Sequence, residues 1–293
     1  MPIEIPPSYA GQPRWWSGGQ DWLAALPELV RELCDRWQLT IDGEIAHGSH
    51  ALVVPVNGSL ALRLAPPDDD IGRHIRALRF WDGRGTVRLI DSDVERGAML
   101  LERLGTPLSE VPVAAAMAVL GRMMRRLAIP APADVPSTAD IVATRADLWT
   151  GEWRRLGEPF DRAILTTALA SAARLSTTGS TDAVNGDLHS DQILGGEREP
   201  WLTVDPVLLR GDIAYDLGRV LWTRVDEMRD AADIVRHFEI VVAAAELDRE
   251  RARDWVVFRA VDYWLWGLGV GLTEDPPRCA RLLTAFHLPE LLG

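Results

Sequence analysis

The chain has 293 residues, enough to bury a large core in one or two domains. Hydrophobic residues make up 47% and charged residues 25%, a balance that is ordinary for a globular protein and argues against disorder. The net charge of −12 disfavours nucleic acid as a partner, because phosphates bind basic surfaces. An acidic surface is compatible with a cationic small-molecule substrate, and solubility alone accounts for it equally well.

No signal peptide is visible in the sequence, and neither a disulfide framework nor lysine is expected or present. No basic segment followed by an apolar run opens the chain, and the longest apolar stretch, residues 111–121, is too short to span a bilayer. We therefore expect no membrane partner. Two cysteines, Cys34 and Cys279, are too few for a disulfide framework and are expected as buried thiols of a cytoplasmic protein. All 31 basic residues are arginine, so a compact ammonium is absent from any site.

Strand-like patterns dominate the first hundred residues. An irregular arm is predicted up to about Gly19. Apolar residues at three- and four-residue steps then predict helices over 21–37 and 71–81. Strand-like runs occupy residues 39–46, 52–56, 60–64, 87–91 and 98–101. The Asn57-Gly58 pair predicts a hairpin between two of them, and the order as a whole predicts a small antiparallel sheet with one helix packed on it.

Helical patterns dominate from about Gly105 onward. They occupy residues 111–127, 160–175 and 255–269. A loop-and-strand segment over 184–201 interrupts them. The expected class is therefore α+β: an N-lobe over 1–103 with the N-terminal arm and helix, then a mainly helical C-lobe over 104–293 that carries the loops described next.

Two aspartates lie in this interruption. Asp187 falls in a tight loop before a short strand, and Asp205 follows a second strand. Two carboxylates on neighbouring loops can divide the work of phosphoryl transfer, one deprotonating the acceptor hydroxyl and the other holding the Mg²⁺ that bridges the phosphates. The amide oxygen of Gln192 is available to the same metal. Spacing alone slightly favours the alternative, in which both aspartates cap turns.

Three motifs around these residues carry a family resemblance. They read Asn185-Gly186-Asp187-Leu188-His189, Val204-Asp205-Pro206 and Gly211-Asp212-Ile213-Ala214-Tyr215-Asp216-Leu217. This pattern resembles the aminoglycoside and hydroxyurea resistance kinases, and the similarity runs from about residue 50 to 270. The resemblance implies a protein-kinase-like, two-lobed fold. It also implies an ATP- and Mg²⁺-dependent phosphotransferase that acts on a hydroxyl of a small molecule, such as an aminoglycoside or a related natural product.

The resemblance also implies roles for individual residues. Asp187 would be the catalytic base, Asp205 the principal metal ligand and Gln192 a second one. Asp216 would brace the catalytic loop through backbone hydrogen bonds, and Asp212 is expected as a helix N-cap. The hinge, whose backbone would bind adenine, is formed by Leu101, Glu102 and Leu104. An ordinary edge strand is the alternative for the hinge.

Several positions depart from the family pattern. Arg63 stands at the nucleotide-binding lysine, His74 at its glutamate partner, Asn185 at a histidine and Gln192 at the metal-binding asparagine. The turn over residues 46–51, where a phosphate-covering loop is expected, has one glycine. Arginine keeps the charge but is longer and planar, so altered nucleotide-binding positions are expected. Two alternatives stay open: an inactive kinase-like protein that binds nucleotide or metabolite, and a kinase fold recruited to another natural-product reaction.

Carboxylates next to tryptophans are candidate acceptor contacts. They are Glu152, Asp226 and Asp262. An aromatic ring beside a carboxylate suits a polyhydroxylated or cationic ligand. The alternative is that the aromatic residues over 255–264 pack the core, as aromatics on both faces of one helix usually do.

Overall fold

The structure is a computed structural model that describes residues 3–11, 19–48, 50–67, 69–177 and 179–287. The chain divides into two compact units. The first unit comprises Met1–Gly105 with Gly196–Arg198, and the second comprises Thr106–Gly195 with Glu199–Gly293. No helix in the described ranges is long and apolar enough to cross a membrane.

An antiparallel sheet forms the framework of the first unit. Its described strands are β1 (Ala46–His47), β2 (Leu52–Val56), β3 (Leu60–Leu64), β4 (Leu89–Asp93) and β5 (Ala98–Glu102), in the order β1-β2-β3-β5-β4. Asn57 and Gly58 join β2 to β3 with φ of 50° and 74°. Asparagine and glycine tolerate this left-handed conformation best, so the predicted hairpin is confirmed.

Helices α1 (Pro7–Ala10), α2 (Gly19–Trp37) and α3 (Asp69–Trp81) complete the first unit. On α2, Leu26, Val30 and Leu33 recur at helical spacing and are buried in one hydrophobic cluster with residues of the sheet. Tyr9 of α1 is fully buried in the same cluster. The N-terminal arm therefore packs against the sheet, although residues 12–18 of the predicted arm lie outside the described residues.

The second unit is mainly helical. Its described helices are α4 (Val113–Leu127), α5 (Thr138–Arg155), α6 (Arg162–Leu175), α7 (Leu217–Trp222), α8 (Ala231–Ala245), α9 (Arg249–Gly269) and α10 (Asp275–His287). Side chains of Ser137, Asp161, Asp230 and Asp248 accept backbone N–H groups at the starts of α5, α6, α8 and α9. Helix α9 packs against α6, α7 and α10, and its Trp255 and Phe258 are fully buried.

Two small sheets interrupt these helices. Strand β6 (Asp182–Val184) pairs with β9 (Leu209–Gly211), and β7 (Ile193–Gly195) pairs with β8 (Trp201–Thr203), both antiparallel. Val184 faces Leu209, and Ile193 faces Thr203. The end of β6 thus lies beside the start of β9, and the start of β7 lies beside the end of β8. The loop between β6 and β7 and the loop between β8 and β9 are therefore neighbours.

The structure corrects several predicted elements. The strand predicted over 39–46 is wrong, since only Ala46 belongs to a strand and Ile41 forms an isolated bridge to Val56. Asp42 N–H donates to the carbonyl of Pro55, and on that same edge Pro55 has no N–H to continue a ladder. Strand β4 lies two residues later than predicted and contains a bulge.

Helix boundaries in the second unit also differ from the predictions. Pro112 caps α4, so this helix begins at Val113 rather than at residue 111. Asp161 caps α6, which begins at Arg162. Helix α5 was missed, because over its length only Thr138, Val142, Trp149 and Trp153 are buried and its apolar stripe is narrow.

The two thiols differ in burial. Cys279 is buried, as expected. Cys34 is only half-buried on α2, so its predicted full burial is wrong.

Candidate active site

Asp187 lies in the loop between β6 and β7. Gly186 has a φ of +82°, and a Cβ at this position would lie 2.9 Å from Cδ1 of Leu209, so glycine is required here. Asn185 is buried, and its Oδ1 accepts the Asp187 N–H at 3.3 Å. Its Nδ2 donates to Oγ1 of Thr203 on β8 at 3.4 Å. Asn185 thus ties the Asp187 loop to the strand that leads to Asp205.

The carboxylate of Asp187 is held from two sides. Arg219 Nε donates to Oδ1 at 2.8 Å, and Gln192 Nε2 donates to Oδ2 at 3.1 Å. Nε2 of His189 lies 3.9 Å from Oδ2. The side chain remains 36% exposed, and a carboxylate can accept about four hydrogen bonds. It can therefore accept a further hydrogen bond from an incoming hydroxyl.

Gln192 and Asp205 lie at the same end of the β7–β8 pair. The N–H of Val204 donates to the carbonyl of Gln192 at 2.8 Å, and Asp205 follows directly. Asp205 has a φ of 49°, an uncommon and strained conformation for a residue other than glycine. The Oε1 of Gln192 is buried and has no hydrogen-bond partner in the described protein. The unpartnered amide oxygen of Gln192 and the carboxylate of Asp205, at the same end of the β7–β8 pair, are oxygen donors of the type that a hard cation prefers.

These donors fit Mg²⁺ bound together with phosphates rather than in a cage of protein ligands. The described residues contain no cluster of three or more His, Cys, Asp or Glu that could hold a metal ion. Magnesium is usually bound through one or two protein oxygens, substrate phosphates and water. Asp205 and Gln192 match that donor set.

The carboxyl of Asp216 lies next to the loop that carries Asp187. Its fully buried carboxyl lies close to the backbone N–H groups of Gly186 and Leu188, and its Oδ1 has no hydrogen-bond partner within the described residues. Burial raises the pKa of Asp216 to about 7; the charge of Asp187 adds to this effect, and Arg259 and the two N–H groups oppose it. The predicted brace through backbone hydrogen bonds stays a prediction.

Asp212 also takes its expected place. Its Oδ1 accepts the Ala214 N–H at 2.9 Å, which confirms the predicted N-cap. Its other oxygen pairs with Arg251 and accepts from Trp255 Nε1 at 2.8 Å. The cap therefore also connects the start of this turn to α9.

Arg259 is a functional neighbour that the sequence did not reveal. It is on α9, with its guanidinium 4.4 Å from the Tyr215 ring centroid and Nη1 donating to the Tyr215 hydroxyl at 2.9 Å. Burial disfavours its charge, but the nearby acidic groups, including Asp216 and Asp187, raise the pKa of Arg259 overall. A buried cation therefore lies near enough to Asp187 and Asp216 to interact with their charges. No periodic pattern distinguishes it from other helical arginines.

Two candidate acceptor residues meet at an arginine. Arg145 Nε lies 2.6 Å from Oδ1 of Asp262, and its Nη2 lies 2.9 Å from Oε2 of Glu152. Trp149 Nε1 also donates to Asp262 at 3.0 Å. Glu152 and Asp262 thus form one cluster whose charge is already offset by Arg145, a residue the sequence analysis missed.

The third candidate, Asp226, belongs to a different cluster. It pairs with Arg278 at 2.6 Å and with Arg281 at 3.5 Å. The neighbouring Trp222 packs edge-on against Tyr263, with ring centroids 4.8 Å apart. The buried Trp255 and Phe258 agree with the alternative that aromatic residues of this helix pack the core.

The nucleotide-binding candidates lie in the first unit. Arg63 on β3 faces Val53 and Met99 across the sheet and is only 5% exposed, so its side chain is not turned out to solvent. Burial raises the pKa of Tyr9 to about 12, and the positive charge of Arg63 opposes this rise. His74 is half-buried on α3. The predicted contact of Arg63 with nucleotide stays a prediction.

The hinge candidates differ in the availability of their backbone groups. Leu101 is paired within the sheet to Ala61 and Leu89. The N–H of Glu102 donates to the carbonyl of Arg88 at 3.1 Å. The N–H of Leu104 has no partner within the described residues. Of the three hinge candidates, Leu104 therefore offers the available backbone donor.

The turn over residues 46–51 is supported by the N-terminal arm. Gly48 N–H donates to the carbonyl of Ala51 at 2.9 Å, while Ser49 lies outside the described residues. The hydroxyl of Tyr9 donates to the carbonyl of His50 at 3.1 Å. The turn is therefore anchored to α1.

Comparison with known proteins assigns these features to a family. The model of the family described as aminoglycoside/hydroxyurea antibiotic resistance kinase matches residues 36–271. Streptomycin 6-kinase of Streptomyces glaucescens is 37% identical, over 97% of this chain and 97% of that protein. Hydroxyurea phosphotransferase of Kitasatospora aureofaciens is 34% identical, over 94% of this chain and 82% of that protein.

A comparison with a solved structure identifies the fold. A thermostable mutant of aminoglycoside phosphotransferase APH(4)-Ia, in ternary complex with ADP and hygromycin B, superposes with a TM-score of 0.59 at 16% identity. The match covers 88% of this chain and 98% of that one. The protein-kinase-like fold is therefore confirmed, and the comparisons do not support the expectation that the nucleotide-binding positions are altered. The chain belongs to the aminoglycoside/hydroxyurea antibiotic resistance kinase family.

Proposed function

We propose that this kinase transfers the γ-phosphoryl group of ATP to a hydroxyl of streptomycin or a related aminoglycoside. The observation that carries the proposal is the carboxylate of Asp187, held by Arg219 and Gln192 yet open to a further donor. The 37% identity to a streptomycin 6-kinase along nearly the whole chain supports the acceptor class. The ADP and hygromycin B in the complex of a protein with this fold support nucleotide use and an aminoglycoside acceptor.

The reaction divides among residues of this chain. The acceptor hydroxyl donates its hydrogen bond to a carboxylate oxygen of Asp187. Its oxygen then forms a bond to the γ-phosphorus while the bond between that phosphorus and the β–γ bridging oxygen breaks. Asp187 takes the hydroxyl proton, and ADP leaves. The brace from Asp216 to Gly186 and Leu188 keeps the loop in place during the transfer.

The same proposal assigns the nucleotide side of the site. Asp205 and Gln192 would hold Mg²⁺, which neutralises charge on the phosphates when it is bound. Arg63 would contact phosphate oxygens, because a guanidinium can donate two parallel hydrogen bonds. The N–H of Leu104, which has no partner among the described residues, would bind the adenine edge.

Replacement of Asp187 tests the proposal. Purified wild type is incubated with ATP, Mg²⁺ and streptomycin, and the product is examined by mass spectrometry for the gain of one phosphate. Asp187→Asn should lower kcat by about a hundredfold or more, the range that general base catalysis contributes. Its melting temperature and its ATP affinity should stay close to those of wild type, because the amide preserves the shape of the side chain.

Asp191→Asn is a matched control from the same loop. Asp191 contacts His189, with Oδ2 at 3.4 Å from Nδ1, and is 64% exposed. This variant should keep wild-type turnover. Full turnover by Asp187→Asn, or no phosphorylation of any aminoglycoside by wild type, would contradict the proposal. The kinase and phosphotransferase names of the relatives favour transfer over the inactive nucleotide-binding alternative.

A further inference from the structure

Arg219 lies in the first turn of α7 and contacts the proposed base directly. Its Nε donates to Oδ1 of Asp187 at 2.8 Å, while Gln192 occupies Oδ2 at 3.1 Å. The two donors grip opposite oxygens of one carboxylate. A carboxylate held at both oxygens cannot rotate about its Cβ–Cγ bond without losing a charge-assisted hydrogen bond. Arg219 therefore restricts the direction in which Asp187 presents its lone pairs.

Aromatic rings in turn restrict Arg219. Its guanidinium carbon lies 5.0 Å from the Trp222 ring centroid and 5.9 Å from that of Tyr263. Cation–π contacts of this kind stabilise one position of a long side chain that would otherwise sample many. With only 23% of its side chain exposed, Arg219 is held between the rings and Asp187.

The backbone of α7 is also closely fitted against α9. A Cβ added to Gly218 would lie 2.3 Å from Cβ of Arg259, so the two helices approach at a position that accepts only glycine. This close packing restricts the position of Arg219, the next residue along α7, relative to the Asp187 loop. A side chain on a tightly packed helix positions its target more accurately than one on a free loop.

We propose that Arg219 is a positioning residue for phosphoryl transfer, which orients the carboxylate of Asp187 toward the acceptor hydroxyl. The inference rests on the proposed function of Asp187 as the base. A displacement of about 1 Å in a reacting group costs roughly a hundredfold in rate. Loss of Arg219 should accordingly lower kcat by roughly ten- to a hundredfold. The KM for ATP should change little, since Arg219 acts on the acceptor side of the reaction.

The kinetic test compares three variants with wild type. Arg219→Ala should show the loss in kcat, and Arg219→Lys should recover part of it, because it restores the charge without the fork geometry. Millimolar guanidinium chloride should partly restore Arg219→Ala by filling the vacated position. Arg278→Ala is the matched control: Arg278 also lies over Trp222, at 5.4 Å, but pairs with Asp226 and Asp275. It should keep kcat within about twofold and gain nothing from guanidinium.

A comparison of crystal structures tests the inference without any acceptor substrate. Crystal structures of Arg219→Ala and Arg278→Ala should show the Asp187 carboxylate rotated in the first and unmoved in the second. An unmoved carboxylate in Arg219→Ala, or a kcat within twofold of wild type, overturns the inference. A loss of activity that guanidinium and lysine both fail to restore, with a lowered Tm, would show a merely structural role. Wild type that phosphorylates no acceptor would instead overturn the proposed function, and the crystal structures would still test Arg219.

Discussion

The buried carboxyl of Asp216 makes stability depend on pH in a predictable direction. Burial raises its pKa from about 3.8 to about 7, and Arg259 opposes the rise. The native protein therefore holds a proton on Asp216 over a pH range in which the unfolded chain has already lost it. A group with a raised native pKa stabilises the fold most below the unfolded pKa, and that stabilisation is lost as the pH rises through the native pKa.

The magnitude follows from the two pKa values. The difference between 7 and 3.8 is about three pH units, and one unit corresponds to about 1.4 kcal/mol, so the total effect is about 4 kcal/mol. Roughly 2 kcal/mol of this falls between pH 5 and pH 7, and less than about 0.5 kcal/mol between pH 7 and pH 8. Asp216→Asn removes the ionisation and keeps an oxygen that can accept from Gly186 and Leu188.

Urea unfolding at pH 5, 6, 7 and 8 measures the effect. The free energy of unfolding of wild type, minus that of Asp216→Asn, should fall by roughly 2 kcal/mol from pH 5 to pH 7 and then level off. Asp42→Asn is the control, because a hydrogen bond from Arg103 lowers the pKa of Asp42 below its usual range and arginine keeps its charge from pH 5 to pH 8. Its difference from wild type should stay constant. A constant or rising difference for Asp216→Asn would refute the reasoning.

Further predictions concern the metal and nucleotide residues. Asp205→Ala should lower the Mg²⁺-dependent affinity for ATP at least about tenfold by calorimetry, since a charged ligand is lost; equal ATP affinity with and without Mg²⁺ in wild type would contradict the metal role. Gln192→Asn should lower kcat, because the amide of the shorter side chain is drawn away from Oδ2 of Asp187 by one methylene and loses that hydrogen bond. Arg63→Ala should weaken ATP binding about tenfold or more, and Arg63→Lys should keep ATP affinity only together with His74→Glu; full affinity in Arg63→Ala would remove Arg63 from the site.

Local signals in the sequence predicted much of the fold. The Asn57-Gly58 pair identified the hairpin, because positive φ angles are tolerated there and few other residue pairs allow them. Periodicity identified α2 through Leu26, Val30 and Leu33. It missed α5, where few residues are buried. Periodicity also misassigned residues 39–46 as a strand. Pro55 on the neighbouring strand β2 has no N–H to donate to this segment, and the local sequence of residues 39–46 does not show that.

The sequence also predicted part of the candidate site. The family resemblance of the motifs pointed to Asp187, Asp205 and Asp216, and the structure places the buried carboxyl of Asp216 close to the Asp187 loop. Arg219 and Arg259 were missed, because nothing in their local sequence distinguishes them from surface arginines. The hydrogen-bond partners of these two arginines lie 32 or more residues away in the chain, so only the tertiary structure brings them together.

The sequence by itself determined many of the elements, the family and the residue types that can carry phosphoryl transfer, because turn chemistry, helical periodicity and family motifs act over short stretches. Tertiary structure alone decided which cations face the proposed base and which acids are already neutralised. Glu152 and Asp262 share Arg145, whereas Asp187 is held by Arg219 and Gln192. Charge pairing depends on distances between side chains that folding brings together, and no local pattern encodes those distances.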